Sequence, residues 1–227
     1  MVSFTTTTTF LALAVAVAAA ASLTSAAPLL PRQSSGSGYT DPRSFGGSSI
    51  AYFPDNANGE PLNVIVTGLS SLDSFTSWFN AIGYGRECFG LHDGTAMQAF
   101  IDSRGKRDQE GEIRYRYGED EVSGSCAESL VGGNHFRYWQ QQGTDAWFLA
   151  ASKEKNVFEH HDIVADGYDV GRDEIVSEAT QQPVSHDGQT FTTSVQYVDG
   201  LLPVGSAGIN HGIALDGRTA VLHVSVS

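Results

Sequence analysis

An aromatic segment at residues 134–139 places a histidine and an arginine two positions apart. Alternate side chains of an extended strand point to the same face, so His135, Arg137 and Trp139 share one face and the intervening aromatic residues share the other. An imidazole beside a guanidinium can hold a carboxylate or a phosphate, with the tryptophan as an apolar wall. The alternative is a solvated sheet face on which Arg137 pairs with one of the many acidic side chains.

A second group, His160, His161 and Asp162, contains the side chain types that ligate metals. Neighbouring residues of a strand point to opposite faces, so the two histidines cannot both reach one ion there. His135, one of these histidines and a carboxylate such as Asp162 or Asp166 would supply the three ligands of a catalytic zinc or manganese centre. The candidate metal ligands are therefore His135, His160 and Asp162. Histidines that lie on the surface or are satisfied by hydrogen bonds are the alternative, and the sequence identifies no cofactor.

Arg172 lies on the apolar stripe of a helix predicted from its spacing, so its guanidinium faces inward or lies at the core boundary and needs a partner. Asp169 and Asp173 are its neighbours on that helix, and a local ion pair is one interpretation. The other is that the Asp-x-x-Arg-Asp motif of Asp169, Arg172 and Asp173 forms the rim of a polar pocket shared with the face of His135 and Arg137. The candidate ligand-binding residues are His135, Arg137, His160, His161, Arg172 and Asp173.

The charge of the chain and its missing motifs argue against several functions. Lys and Arg number 13 against 26 Asp and Glu, and the net charge of −13 repels nucleic acid and anionic lipid. No nucleic-acid partner is expected. The Gly-x-Ser-x-Gly motif of serine hydrolases and the phosphate-binding Gly-x-x-x-x-Gly-Lys loop do not occur. Acidic residues abound, but no spacing selects a pair for glycoside hydrolysis.

The elements that must position these residues follow the order strand, helix, strands, helix, strands. The predicted strands are residues 62–68, 134–140, 146–152, 159–164, 191–197 and 219–226, and the predicted helices are residues 72–82 and 168–180. The two strands at 134–152 are separated by a polar turn and predict a hairpin. This order predicts an α+β fold in which two helices pack on a mainly antiparallel sheet, a ferredoxin-like core with an insertion at residues 84–133.

The N-terminal part of the chain predicts export. An unbroken apolar run at residues 10–21 is too short to span a bilayer, which takes about 20 residues, and it leads into small residues. It predicts a signal peptide over residues 1–27, a flexible leader over residues 28–59 and a single domain over residues 60–227. A second cleavage after Arg32 stays open. No transmembrane segment is expected, and the protein is predicted to be extracellular.

The cysteine content agrees with export. Cys88 and Cys126 are the two cysteines of the chain. In an oxidising compartment such a pair is expected to form a disulfide. The bridge would tie down the predicted insertion, which has little apolar content of its own.

Four motifs in order resemble the C-terminal domain of the LssY family: Pro-Leu-Asn-Val-Ile-Val-Thr-Gly at residues 61–68, the His-x-Arg-Tyr-Trp strand at 134–139, Trp-Phe-Leu-Ala-Ala at 147–151, and the His-His to Gly-Arg-Asp stretch at 160–173. The resemblance implies a stand-alone, secreted version of a domain that bacterial members attach to membrane regions. It implies an extracytoplasmic context and these shared polar positions, and it implies no reaction.

The leading functional hypothesis is an acidic single-domain protein that binds a small anionic or polar ligand between the strand of His135 and Arg137 and the helix of Arg172. One alternative is a metal-assisted hydrolase, for example a phosphoesterase, that activates water at a histidine and carboxylate centre. The other is a structural or interaction domain of the cell surface, in which the polar residues form a buried network.

Overall fold

The computed structural model describes residues 36–72, 74–90, 95–181 and 183–227. The predicted signal peptide and the open cleavage position at Arg32 lie outside the described residues. Within these ranges, no helix combines the length and the apolar character that crossing a membrane requires.

Three α-helices and twelve strands make up the described part of the chain. The helices are α1 (Phe75–Ala81), α2 (Glu121–Val131) and α3 (Gly167–Thr180). The strands are β1 (Ile50–Tyr52), β2 (Gly59–Pro61), β3 (Val64–Val66), β4 (Gly85–Arg86), β5 (Gln98–Ala99), β6 (Arg107–Asp108), β7 (Gly111–Tyr115), β8 (Gly133–Gln140), β9 (Trp147–Glu154), β10 (Val184–His186), β11 (Gln189–Asp199) and β12 (Arg218–Val226).

The strands form two sheets. The larger has eight strands in the order β10-β11-β12-β3-β9-β8-β7-β4, and the smaller has four in the order β2-β1-β5-β6. Every neighbouring pair of the larger sheet is antiparallel except β12 with β3. The prediction of a two-helix, ferredoxin-like core is therefore wrong, because three helices and two sheets are present in the described residues. The sequence did not predict the smaller sheet, because its strands are two or three residues long and too short to show alternation of apolar and polar residues.

The predicted hairpin is confirmed as β8 and β9. Phe136 pairs with Ala151 and Tyr138 with Leu149 in antiparallel register. The turn between the strands uses Gly143 at φ 88°, a conformation that glycine adopts without strain. The predicted strands at 62–68, 191–197 and 219–226 and both predicted helices are present as well, with shifted ends.

Both faces of the central strands of the larger sheet are buried. On the first face, Phe136 and Tyr138 pack with α1 and α3 in one hydrophobic core. On the second face, Trp139 and Ala150 pack with the smaller sheet in a separate core. His135 and Arg137 share the second face with Trp139, as alternation predicts. This face is not solvated, because His135 is 0% and Arg137 is 5% exposed.

The ordered domain begins before Glu60, within the segment predicted as a flexible leader. β1 pairs with β2, and Ile50 and Ala51 are buried. A single turn of 3-10 helix at Pro42–Phe45, capped by the side chain of Asp41, precedes them. The Gly and Ser content that suggests flexibility thus belongs to turns around a short strand.

The predicted insertion holds α2 and four short strands, and its disulfide is confirmed. Cys88 follows β4, Cys126 lies in α2, and their Cα atoms are 5.0 Å apart. α2 starts at Asp120, whose carboxylate accepts a hydrogen bond from the backbone N–H of Ser123. No helix was predicted here, because its buried residues are Gly124, Ser125 and Glu128 rather than an apolar stripe.

The predicted strand at 159–164 is wrong. The chain forms a 3-10 turn at Val157–Glu159, and His160 and His161 follow with φ 57° and 55°, in the left-handed region. The side chain of Asn156 starts this turn by accepting a hydrogen bond from the N–H of Phe158. Ile163 makes only an isolated bridge to Glu154.

Candidate functional site

A group of buried ionisable side chains lies on the second face of the larger sheet, under β2 and α2. We call it the buried ion cluster. It consists of Glu60, Glu112, Arg114, Glu128, His135, Arg137 and Glu154, each no more than 9% exposed at its side chain.

Strand register creates the centre of the cluster. β7 pairs with β8 so that Glu112 lies opposite Arg137 and Arg114 lies opposite His135. Ser152 of β9 lies on the other side of His135. Because residues two apart share a face, these side chains all point to the same side, and Glu154 follows Ser152 there.

Each guanidinium of the cluster is already paired with carboxylates. Arg114 places Nη2 2.8 Å from Oε1 of Glu112 and donates from Nη1 to Oε2 of Glu128 at 2.6 Å. Arg137 places Nη1 3.3 Å from Oε2 of Glu60 and Nε 3.4 Å from Oε2 of Glu112. A guanidinium held by two carboxylates has little remaining attraction for an anionic ligand.

His135 lies between two carboxylates. Its Nδ1 is 3.6 Å from Oε1 of Glu128, and its Nε2 is 3.5 Å from Oε1 of Glu154. Burial lowers the pKa of His135, but Glu154, Glu128 and Glu112 outweigh burial and the nearby Arg137, and they raise that pKa to about 9. The surroundings of the imidazole therefore favour a positive charge at this position.

The carboxylates differ in how well the cations stabilise their charge. Burial raises the pKa of Glu112 and Glu128. Arg137, then His135 and Arg114, lower the pKa of Glu112 below its ordinary value, and His135 and Arg114 do the same for Glu128. Burial also raises the pKa of Glu154, and there His135 and Arg137 do not fully compensate. Glu154 is the least stabilised anion of the three.

The described side chains of the cluster do not balance in charge. Four glutamates face two arginines and His135, so one negative charge is left over even with the imidazole protonated. Several buried polar atoms also lack a hydrogen-bond partner: Oε1 of Glu128, Nδ1 of His135 and Nδ1 of the adjacent His161. Buried polar atoms are normally satisfied, so their concentration here needs an explanation.

The same atoms have the arrangement of a metal site. Glu128, His135 and Glu154 each offer one ligand atom, and these atoms lie within 4.8 Å of one another. Nδ1 of His161 lies 3.3 Å from Oε2 of Glu154. Neighbouring nitrogen and oxygen ligands of a tetrahedral zinc ion are about 3.4 Å apart, given bonds of about 2.1 Å. Each contact of 3.3 to 3.6 Å is close to that separation, but Glu128 faces Nδ1 of His135 and Glu154 faces Nε2. A single ion takes one ring nitrogen, so only one of the two glutamates meets that nitrogen at this separation, and the other lies within 4.8 Å.

The structure does not bring the three predicted metal ligands together. His135 is central, but His160 is exposed, and Asp162 lies beside His211 with Oδ1 and Nδ1 3.8 Å apart. Sequence reasoning missed Glu128 and Glu154. Glu154 could have been found, because it continues the alternation of β9 on the face of His135. The sequence of α2 offers no comparable signal for Glu128.

Arg172 is on the opposite face of the larger sheet from His135. It lies over the ring of Tyr197 at 5.4 Å, and Tyr197 pairs with Ala220, whose side chain is in the first-face core. The sheet therefore separates Arg172 and its neighbour Asp173 from the buried ion cluster. In the described part of the chain, Arg172 and the His135 strand therefore do not face one common pocket, contrary to the prediction.

Acidic side chains neutralise Arg172 where it lies. Nη1 is 2.8 Å from Oδ1 of Asp216 and 3.2 Å from Oδ1 of Asp169, and Nε donates to Asp173 at 2.8 Å. Burial lowers the pKa of Arg172, but Asp173 and Asp216 raise it above its ordinary value. These contacts match the local ion pair considered from the sequence, with Asp216 as an additional partner.

No protein-family model matches the chain, and neither does any curated protein or solved structure. The resemblance to the LssY C-terminal domain stays a prediction from the sequence motifs. The geometry of the buried ion cluster is what remains to support a function.

Proposed function

We propose that this protein is an extracellular, LssY-like domain that binds one divalent transition-metal ion at Glu128, His135 and Glu154. The observation that carries the proposal is the surplus of buried carboxylate around His135, together with ligand atoms that lack hydrogen-bond partners. Imidazole and carboxylate ligands suit zinc or manganese. A coordinated imidazole is neutral, so four glutamates and two arginines leave two negative charges, which an ion of charge two would compensate.

A cation fits this site better than the anion expected from the sequence. Arg137 pairs with Glu60 and Glu112, and Arg172 pairs with Asp169 and Asp216. An incoming phosphate or carboxylate would have to displace these carboxylates. A metal ion would instead replace the long contacts of 3.3 to 3.6 Å that these oxygen and nitrogen atoms make with one another.

Metal-assisted hydrolysis is the second candidate, and His161 distinguishes it from simple binding. Three protein ligands leave a position for water on a tetrahedral ion, whereas four close the site. Among the four side chains of the proposed metal site, those of Glu154 and His161 are the most accessible, 9% and 19% exposed, so water would enter from their side. A bound ion with His161 displaced could acidify such a water molecule.

Two features support the extracellular placement. Residues 1–27 have the composition of a signal peptide, and the bridge between Cys88 and Cys126 is of a kind that persists in oxidising compartments. The LssY-like character is supported by the motifs at residues 61–68, 134–139 and 160–173.

The test is a calorimetric titration of the chelator-treated protein with Zn²⁺ and, separately, Mn²⁺. We expect one ion per chain, and about 100-fold weaker binding in Glu128→Gln and Glu154→Gln, because each loses a charged ligand. Glu119→Gln is the matched control, since Glu119 is exposed. Thermal melts without metal verify that each variant is folded.

Two results would contradict the proposal. One is the absence of stoichiometric binding for either ion, which would leave the cluster as a buried network that fixes the fold. The other is binding that Glu128→Gln and Glu154→Gln weaken no more than Glu119→Gln does, which would place the ion elsewhere.

A further inference from the structure

A cavity lies on the first face of the larger sheet, away from the buried ion cluster. It has a volume of about 300 Å³ and is bounded by α3 and by the ends of β7, β8 and β9. Its polar lining consists of Asn134, Lys153, Glu174, Ser177 and Glu178. We propose that this cavity binds a small carbohydrate, a mono- or disaccharide unit of a larger glycan.

The first observation is an unsatisfied amide. Asn134 lines the cavity and is 2% exposed. Its Nδ2 donates to the carbonyl of Gly171 at 3.0 Å, but its Oδ1, equally buried, has no hydrogen-bond partner. An unpaired buried carbonyl is unfavourable, and a ligand hydroxyl would supply the donor it lacks.

The second observation is the mixture of donors and acceptors. Lys153 and Glu174 form an ion pair across the cavity, and Glu178 lies one helical turn beyond Glu174. Ser177 adds a hydroxyl that can donate and accept. Two carboxylates against one ammonium disfavour a phosphate or a carboxylate ligand. A neutral molecule with several hydroxyl groups can use every one of these side chains.

The third observation is a pair of tyrosine rings at the same cavity. The rings of Tyr115 and Tyr117 are 5.3 Å apart and nearly perpendicular. The hydroxyl of Tyr117 donates to the carbonyl of Gly132 at 2.7 Å, which fixes a ring that is 40% exposed. A rigid, half-exposed aromatic ring offers contact area at little entropic cost, and sugar rings present C–H groups that pack on such a surface.

The cavity volume limits the size of the ligand. About 300 Å³ is at the lower end of the range for small-molecule pockets, which suits a mono- or disaccharide unit and not an extended chain. A purely apolar ligand would leave Asn134 and Glu178 unpaired. Ligand binding in this cavity does not depend on the proposed metal ion, because the cavity and the buried ion cluster lie on opposite faces of the larger sheet.

The experiment is a calorimetric titration of the full-length protein with maltose, cellobiose, chitobiose, mannobiose and lactose. We expect saturable binding of at least one disaccharide, with a dissociation constant of about 1 mM or below. Ser177→Trp fills the cavity and should abolish binding. Gln181→Trp is the matched control, because Gln181 is exposed just beyond α3 and does not line the cavity.

A second variant tests the polar contacts. Glu178→Gln keeps the shape of the side chain but removes its charge, so we expect at least 10-fold weaker binding of the same disaccharide. Three results would overturn the proposal: no disaccharide binds, binding survives in Ser177→Trp, or putrescine binds in place of every sugar. The last result would identify the cavity as an amine site.

Discussion

Asn63 should be one of the most important buried polar residues for stability. It is 1% exposed and lies just before β3. Its Nδ2 donates to the carbonyls of Ala151 at 2.9 Å and Tyr168 at 2.8 Å, and its Oδ1 accepts from the N–H of Ala151 at 3.0 Å. One side chain thus ties β3 to the end of β9 and to the first turn of α3.

Replacing Asn63 by alanine removes these three hydrogen bonds and leaves the N–H and the carbonyl of Ala151 buried without a partner, whereas the carbonyl of Tyr168 keeps its hydrogen bond within α3. Each bond contributes about 1 kcal/mol, and an unsatisfied buried group costs about 1 to 3 kcal/mol. Allowing for partial relaxation, we expect a loss of about 4 kcal/mol in the free energy of unfolding, a large share of the stability of an ordinary domain.

Urea unfolding followed by tryptophan fluorescence measures this loss. With a slope of about 2 kcal/mol per molar urea, the midpoint should fall by about 2 M. Asn80→Ala is the control, because Asn80 is exposed on α1 and should change stability by less than about 0.5 kcal/mol. A loss below about 1 kcal/mol for Asn63→Ala would refute the reasoning.

Three further substitutions test other parts of the fold. Changing Cys88 and Cys126 together to serine should lower the free energy of unfolding by about 4 kcal/mol, because the bridge closes a loop of 38 residues; unchanged chemical denaturation would contradict this. Burial raises the pKa of Asp102, but hydrogen bonds from Arg104 and from backbone N–H groups lower it below its ordinary value of 3.8. Because this pKa is lower in the folded state, the ionised Asp102 stabilises the fold at pH values above the ordinary pKa, and this stabilisation is lost as the pH falls through the folded pKa. The stability deficit of Asp102→Asn should therefore shrink below about pH 4. A deficit that stays constant in urea unfolding from pH 6 to 2.5 would be inconsistent with this assignment. Gly171→Ala should destabilise by about 1 to 3 kcal/mol, because a Cβ atom there would lie 2.7 to 2.9 Å from the backbone of β9; a raised melting temperature would show that α3 moves away without loss.

The parts of the fold that the sequence predicts are those with regular periodicity. The hairpin of β8 and β9 has two long strands of eight residues each, rich in aromatic and apolar side chains and separated by a polar turn, and α3 repeats its buried positions over 14 residues. Strands of two or three residues have no period to detect, so β4, β5 and β6 could not be predicted. α2 escaped because Gly124, Ser125 and Glu128 form its buried side.

Of the candidate site, the sequence predicts only the arrangement of His135 and Arg137. Alternation of side chains along a strand places these two residues on one face of β8, and in the structure they share that face. Their partner Glu60 comes from β2, which is distant in sequence, and Glu128 comes from α2, which directly precedes β8. Only the tertiary arrangement of β2 and α2 brings these two side chains to the cluster. The left-handed conformations of His160 and His161 break the strand pattern, and they leave His161 beside Glu154 and His160 exposed.

The central claim is that one metal ion lies between Glu128, His135 and Glu154. Crystals grown from protein incubated with Zn²⁺, with diffraction measured on both sides of the zinc absorption edge, locate such an ion directly. We expect a single anomalous peak within about 2.3 Å of a ligand atom from each of these side chains. An ordered buried ion cluster with no anomalous peak, or zinc found only at surface histidines such as His160 and His186, would contradict a metal site at these three side chains.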